Sequence, residues 1–99
     1  MPDYKAAIAR YEEFLKAYPD DARNDRVLYQ LARGYQNIGQ TDPAIATLRR
    51  LVAEYPRSSL IGDARFRSAE LLYNLGRYTE AEADYEFVLG LGPNASFYE

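Results

Sequence analysis

The sequence predicts an all-α chain: a right-handed solenoid of five helices stacked as antiparallel hairpins. Three observations predict it. Blocks related by a shift of 37 residues recur without insertion, so that Pro19, Pro56 and Pro93 share one period and Ala7, Ala44 and Ala81 share the same one. Between these marks the apolar residues fall at i, i+3, i+4 and i+7, the spacing of a helix with one buried stripe. Glycines and prolines separate the stripes and leave only short connections. Recurrence at such a period marks supersecondary units that cannot bury their apolar faces alone and do so on one another.

Residues 3 to 18 form the first predicted helix, with Ala7, Ile8, Tyr11, Phe14, Leu15 and Tyr18 on its stripe. Asp3 is placed to cap it, and Pro19 ends it because proline has no N–H to continue the ladder. The second helix, roughly 21 to 38, begins after Asp20-Asp21, buries Val27, Leu28, Leu31, Ala32, Tyr35 and Ile38, and stops at Gly39, which suits a left-handed C-cap. A third starts with Asp42 as cap and Pro43 as first helical residue, where a missing N–H costs nothing, and runs to about Tyr55. Ser58 and Ser59 offer caps to a fourth, which runs to Leu75 and stops at Gly76; Ala64, Ala69, Leu72 and Leu75 form its stripe, with Leu71 beside it. Thr79-Glu80-Ala81-Glu82 has the pattern of a capping box opening the fifth, in which Tyr85, Val88 and Leu89 continue the repeat. Such short connections make consecutive helices antiparallel neighbours. Ala32 against Ala44, and Ala69 against Ala81, supply small residues where two backbones can approach closely.

These residues resemble the tetratricopeptide repeat family, whose pattern sets a large residue, a leucine, a small residue and an aromatic on the first helix, then alanine, an aromatic and a closing proline on the second. Leu28, Leu31, Ala32, Tyr35, Ala44, Leu48 and Pro56 take these places in one unit; Ala69, Leu72, Ala81, Tyr85 and Pro93 do in the next. On this resemblance residues 1–19 are the second half of a repeat, 20–56 and 57–93 are full repeats, and 94–99 begin a further one, as expected of a fragment of a longer protein. Arg65 and Ser68 depart from the large and leucine places, so the second hairpin is expected to lean on Phe66 and Leu71. The 37-residue period and the Tyr-Pro junction resemble the long repeats of bacterial envelope members of the family.

The resemblance implies a non-catalytic scaffold for protein–protein interaction, with a groove lined by the first helix of each hairpin. The candidate groove residues are Arg26, Tyr29, Arg33 and Asn37 on one helix, and Asp63, Phe66, Arg67, Glu70, Tyr73 and Asn74 on the other. Spacings of three and four put each set on one helical face, opposite the core stripe. Stacked aromatics flanked by both signs of charge and by amides suit an extended or helical peptide, with aromatics and arginine as anchors. Tyr29, Arg33, Arg67 and Glu70 stand where a chaperone-tail-binding member would carry its carboxylate clamp, so that ligand class is not expected. The alternative is a structural role, in which apolar array ends drive self-association or pack on the rest of the parent chain.

Composition narrows the chemistry. The chain has neither histidine nor cysteine, which removes the usual general base, thiol nucleophile and zinc ligands, so no enzyme, cofactor or metal is expected. The serines are explained by helix starts. Glu80, Glu82, Asp84 and Glu86 are expected to form a solvated acidic face, because a regular helix cannot wrap a cation with six oxygens. The glycines form no phosphate-binding loop. A net charge of −3 and a pI near 5.0 oppose nucleic-acid binding, which depends on neutralising phosphates. Residues 51–99 hold the negative excess, with four basic and eight acidic side chains. No segment is apolar for long enough to insert in a membrane. The ten tyrosines are expected to pack mainly on core stripes, hydroxyls at the edge.

Overall fold

A computed structural model describes residues 3–91 and contains five α-helices: α1 (Tyr4–Ala17), α2 (Asn24–Asn37), α3 (Thr41–Glu54), α4 (Ile61–Asn74) and α5 (Tyr78–Gly90). The sequence period survives in three dimensions. Helices α1, α3 and α5 begin 37 residues apart, and so do α2 and α4. Each helix packs chiefly on the one before and the one after it, giving a stack of antiparallel pairs.

The turns repeat as faithfully as the helices. Gly39 and Gly76 adopt φ of +79° and +80°, a region that penalises a Cβ, and both close a Schellman motif. Gln40 donates its N–H to the Tyr35 carbonyl at 2.9 Å, and Arg77 donates to Leu72 at the same distance. At the other junction Tyr18 and Tyr55 end their helices with matching backbone angles, φ −129° and −130°. Asp21 and Ser58, one period apart, each accept the N–H two residues on, from Arg23 at 2.8 Å and Leu60 at 3.0 Å.

The core is a row of leucines and alanines. Leu28, Leu48, Leu51 and Leu72 are fully buried, and Ala44, Ala64 and Ala69 are closed off completely where helices cross. Gly34 lets α1 approach α2: a Cβ there would stand 2.9 Å from Cγ1 of Ile8. Buried Asn24 donates to the Tyr18 carbonyl at 2.7 Å, tying the end of α1 to the start of α2.

Several expected details are corrected. Asp3 does cap α1, accepting from the Ala6 N–H at 3.0 Å. Asp42 does not cap α3, which begins at Thr41 with Pro43 as its third residue, and Asp42 faces Arg77 instead. The Thr79 capping box does not form, because α5 begins at Tyr78 and Thr79 lies inside its first turn, which Arg77 spans by binding Glu80 at 2.8–3.1 Å. Ser58 serves the turn before α4, which starts at Ile61. Leu75 is 45% exposed, since it is the C-cap residue and has left the helical stripe. Tyr18 is exposed for the same reason, and Phe14 is half-buried between Tyr18 and Arg23. Tyr73 and Tyr78 are exposed as well, whereas Tyr11, Tyr29, Tyr35, Tyr55 and Tyr85 pack partly against the core. Pro93 and residues 94–99 lie outside the described residues.

The largest correction concerns Asp84, expected on a solvated face. It is only 8% exposed, and accepts hydrogen bonds from Arg65 at 2.9 Å and from the Ser68 hydroxyl at 2.7 Å. Arg65 also lies over the Phe87 ring, 4.6 Å from its centroid. The two family positions that lost their apolar residues therefore join α4 to α5 through a charge. Leu71 is buried in this hairpin as expected, while Phe66 is half-buried.

Candidate protein-interaction face

Helices α2 and α4 lie side by side, and three side-chain contacts hold them. Ser58, just before α4, donates its hydroxyl to Asp25. Arg67 donates through Nε to the Tyr29 hydroxyl at 3.2 Å and through Nη1 to the Gln36 amide oxygen at 3.3 Å. Its guanidinium lies 5.7 Å from the Tyr29 ring centroid, within cation–π range.

This bridge divides the ten candidate residues by role. Arg26, Arg33 and Asn37 on α2, with Glu70, Tyr73 and Asn74 on α4, are exposed. Tyr29 and Arg67 are half-buried and engaged with each other. Phe66 is half-buried with its ring edge-on to Tyr85 of α5, 6.1 Å between centroids, so the expected aromatic stack is replaced by Arg67 over Tyr29 and Phe66 against Tyr85. Asp63, in the first turn of α4, is half-buried. The exposed set combines two guanidiniums, a carboxylate, two amides and a phenol, which can hydrogen-bond and ion-pair with a peptide. Among the described residues no group of His, Cys, Asp or Glu could hold a metal.

Gln36 and the Asp25–Ser58 contact were not anticipated from the sequence. Gln36 was within reach, since it stands seven residues after Tyr29 and so on the same face. Asp25–Ser58 depends on how one hairpin seats on the next, which no single-helix pattern encodes.

Electrostatics reinforce the hairpins. Hydrogen bonds from Arg49, then from Arg77, hold the Glu80 carboxyl below the usual range, so that α3, the α4–α5 turn and α5 meet at one anion. At the junction, the side-chain and backbone hydrogen bonds of Arg23 bring the Asp21 carboxyl down to about 2. Burial, then the Glu12 carboxylate, raises the Tyr35 hydroxyl above its ordinary value.

Two tetratricopeptide repeat models match the chain, one over residues 26–58 and the other over residues 62–94. The chain belongs to the tetratricopeptide repeat family. The two matches follow the α2–α3 and α4–α5 hairpins. No curated protein matches the chain. Tetratricopeptide repeats generally mediate protein–protein interaction, and proteins built from them are typically non-catalytic scaffolds. A protein partner is thus implied, and among the described residues no helix is long and apolar enough to cross a membrane.

Proposed function

We propose that this tetratricopeptide repeat array is a non-catalytic interaction module, and that the exposed side of α2 and α4 receives an extended or helical segment of a partner protein. The observation that carries this reading is the Arg67 bridge. By fixing Tyr29 and Gln36 against α4, it makes two helices one preorganised surface, which lowers the ordering cost of binding. Arg26 and Arg33 on α2 stand one period before Asp63 and Glu70 on α4, so a segment lying across both helices would meet basic and acidic edges in turn. That polarity supplies direction as well as affinity.

The test is capture from a bacterial lysate and envelope extract by the intact chain and by the variant Arg26→Ala, Arg33→Ala, Asn37→Ala. All three side chains are exposed, so the variant keeps the packing of α2, and circular dichroism checks this. A protein retained by the intact chain and lost by the variant supports the face as the binding site. Equal retention by both refutes it.

Self-association is a second reading, favoured by the exposure of Leu75, Leu89 and Leu91 near the ends of α4 and α5. Sedimentation velocity across a hundredfold concentration range decides it: a constant monomer mass removes the reading.

A further inference from the structure

We propose that Tyr73, Tyr78 and Tyr85, with Glu82 at their rim, form a site for a basic side chain, arginine or lysine, carried by the partner segment. The proposal rests on the interaction-face reading and extends it, because Tyr73 belongs to that face.

The site is a depression of about 440 Å³ where α4 ends and α5 begins, lined by these four residues and Ala81. Tyr78, Glu82 and Tyr85 stand at i, i+4 and i+7 on α5 and therefore share one face, with Ala81 as the small residue between them. Tyr73 comes from the last turn of α4. Its ring meets that of Tyr78 at 5.0 Å and 65°, so the two form adjacent walls of a corner. Both are more than half exposed, at 56% and 59%, which is unusual for paired aromatics that serve only to fill a core.

Comparison with the preceding repeat shows that the chemistry has changed. One period earlier the same places hold Gln36, Thr41, Ala44, Ile45 and Leu48, where Ala44, Ile45 and Leu48 are core. Only the alanine is kept. Buried Ile45 is replaced by exposed Glu82, and Gln36, Thr41 and Leu48 by tyrosines. An apolar helix stripe would have to desolvate that carboxylate, whereas a cation would be attracted by it and by the ring faces.

Charge bookkeeping points to the same class of ligand. Arg49 and Arg77 are paired with Glu80, Arg65 with Asp84, and Arg67 with Tyr29 and Gln36. Among the described residues neither Glu82 nor the nearby Glu70 takes part in an ion pair. Burial, then the Glu70 carboxylate, raises the Tyr85 hydroxyl above its ordinary value. The complementary occupant is a cation with a flat or alkyl surface to lie against the rings, as arginine and lysine side chains have.

The test uses the 99-residue chain and aromatic carbon–proton NMR, with the capped peptides acetyl-Gly-Arg-Gly-amide and acetyl-Gly-Lys-Gly-amide as probes and the neutral citrulline peptide as control. Saturable shifts at Tyr73, Tyr78 and Tyr85 are expected with the charged probes. Tyr78→Leu should weaken binding about 2- to 5-fold, the loss of one ring from a cation–π site. Glu82→Gln should weaken it by a similar factor of about 2 to 5 and flatten its salt dependence. Glu86→Gln, a nearby exposed carboxylate outside the depression, should change nothing. The proposal is overturned if citrulline gives the same shifts, if no probe shifts the three tyrosines, or if Glu82→Gln is without effect. Cross-relaxation from Phe97 or Tyr98 to Tyr73 and Tyr78 in the free protein would also overturn it, by assigning the depression to the chain's own C-terminal residues. A partner that needs Arg26 and Arg33 but is indifferent to Tyr78→Leu and Glu82→Gln sinks this site and leaves the interaction face standing.

Discussion

Replacing Asp84 with alanine tests whether a charge holds the second hairpin together. Asp84 accepts two hydrogen bonds, from Arg65 and Ser68, and bonds of this charged kind contribute about 1.5–3 kcal/mol each. Their sum overstates the loss. The Arg65 side chain keeps 31% of its surface in solvent and rehydrates, and the Ser68 hydroxyl can turn to a carbonyl of its own helix. The expected destabilisation is therefore about 2–3 kcal/mol, below the full cost of orphaning a deeply buried ion. Urea unfolding followed by helical circular dichroism reads this directly. With a slope of about 1.2 kcal/mol per molar for a chain of this size, the midpoint should fall by about 2 M. A companion variant separates charge burial from loss of shape: Arg65→Met, Ser68→Ala, Asp84→Val replaces the trio with apolar groups of similar volume, and should recover most of the wild-type midpoint. An unchanged midpoint for Asp84→Ala would refute the assignment of a stabilising role to this carboxylate. A companion variant no better than Asp84→Ala would show that the loss is not one of desolvation.

Further expectations can be checked with the same methods. Gly39→Ala and Gly76→Ala should each cost about 1 kcal/mol, purely through the positive φ, since no atom lies near either Cβ position; equal stability with alanine would contradict the left-handed caps. Ala44→Leu should overpack the α2–α3 crossing by about 1–3 kcal/mol, and an unchanged melting temperature would sink that pairing. Because Asp21 titrates at about 2 in the folded chain against an ordinary 3.8, its contribution is complete above the ordinary value and is lost as pH falls from there toward 2. Carboxyl NMR should show that midpoint, and Arg23→Ala should return it toward 3.8; a midpoint already at the ordinary value in the intact chain would rule the pairing out.

The elements that could be read from the sequence are those set by local rules. Gly39 and Gly76 announced left-handed caps, and Ala32, Ala44, Ala69 and Ala81 announced buried positions, because helix periodicity and backbone sterics act within one hairpin. Helix starts were misplaced by a residue or more: α3 and α5 begin at Thr41 and Tyr78, so Asp42 and Thr79 fall inside the first turn instead of at the cap. Asp84 was misassigned although a signal existed, since it lies three residues after Ala81 and four before Val88, on the buried stripe. Its run of neighbouring glutamates hid it. On the candidate face, the pairing of Arg67 with Tyr29 depends on how one hairpin seats on the next, and that of Phe66 with Tyr85 on how α4 and α5 turn within theirs, which helical spacing alone does not encode.

Packing that runs chiefly from each helix to its neighbours in sequence has a consequence for how the chain reaches its native state. Most contacts between helices close only a short loop, so the contact order is low and folding should be rapid. During synthesis each hairpin can dock as soon as its second helix leaves the ribosome, without waiting for residues still to be made. Helices α2 and α3 share a crossing built mainly of buried leucine and alanine and form the natural nucleus, onto which α4 and α5 add once Arg65 finds Asp84.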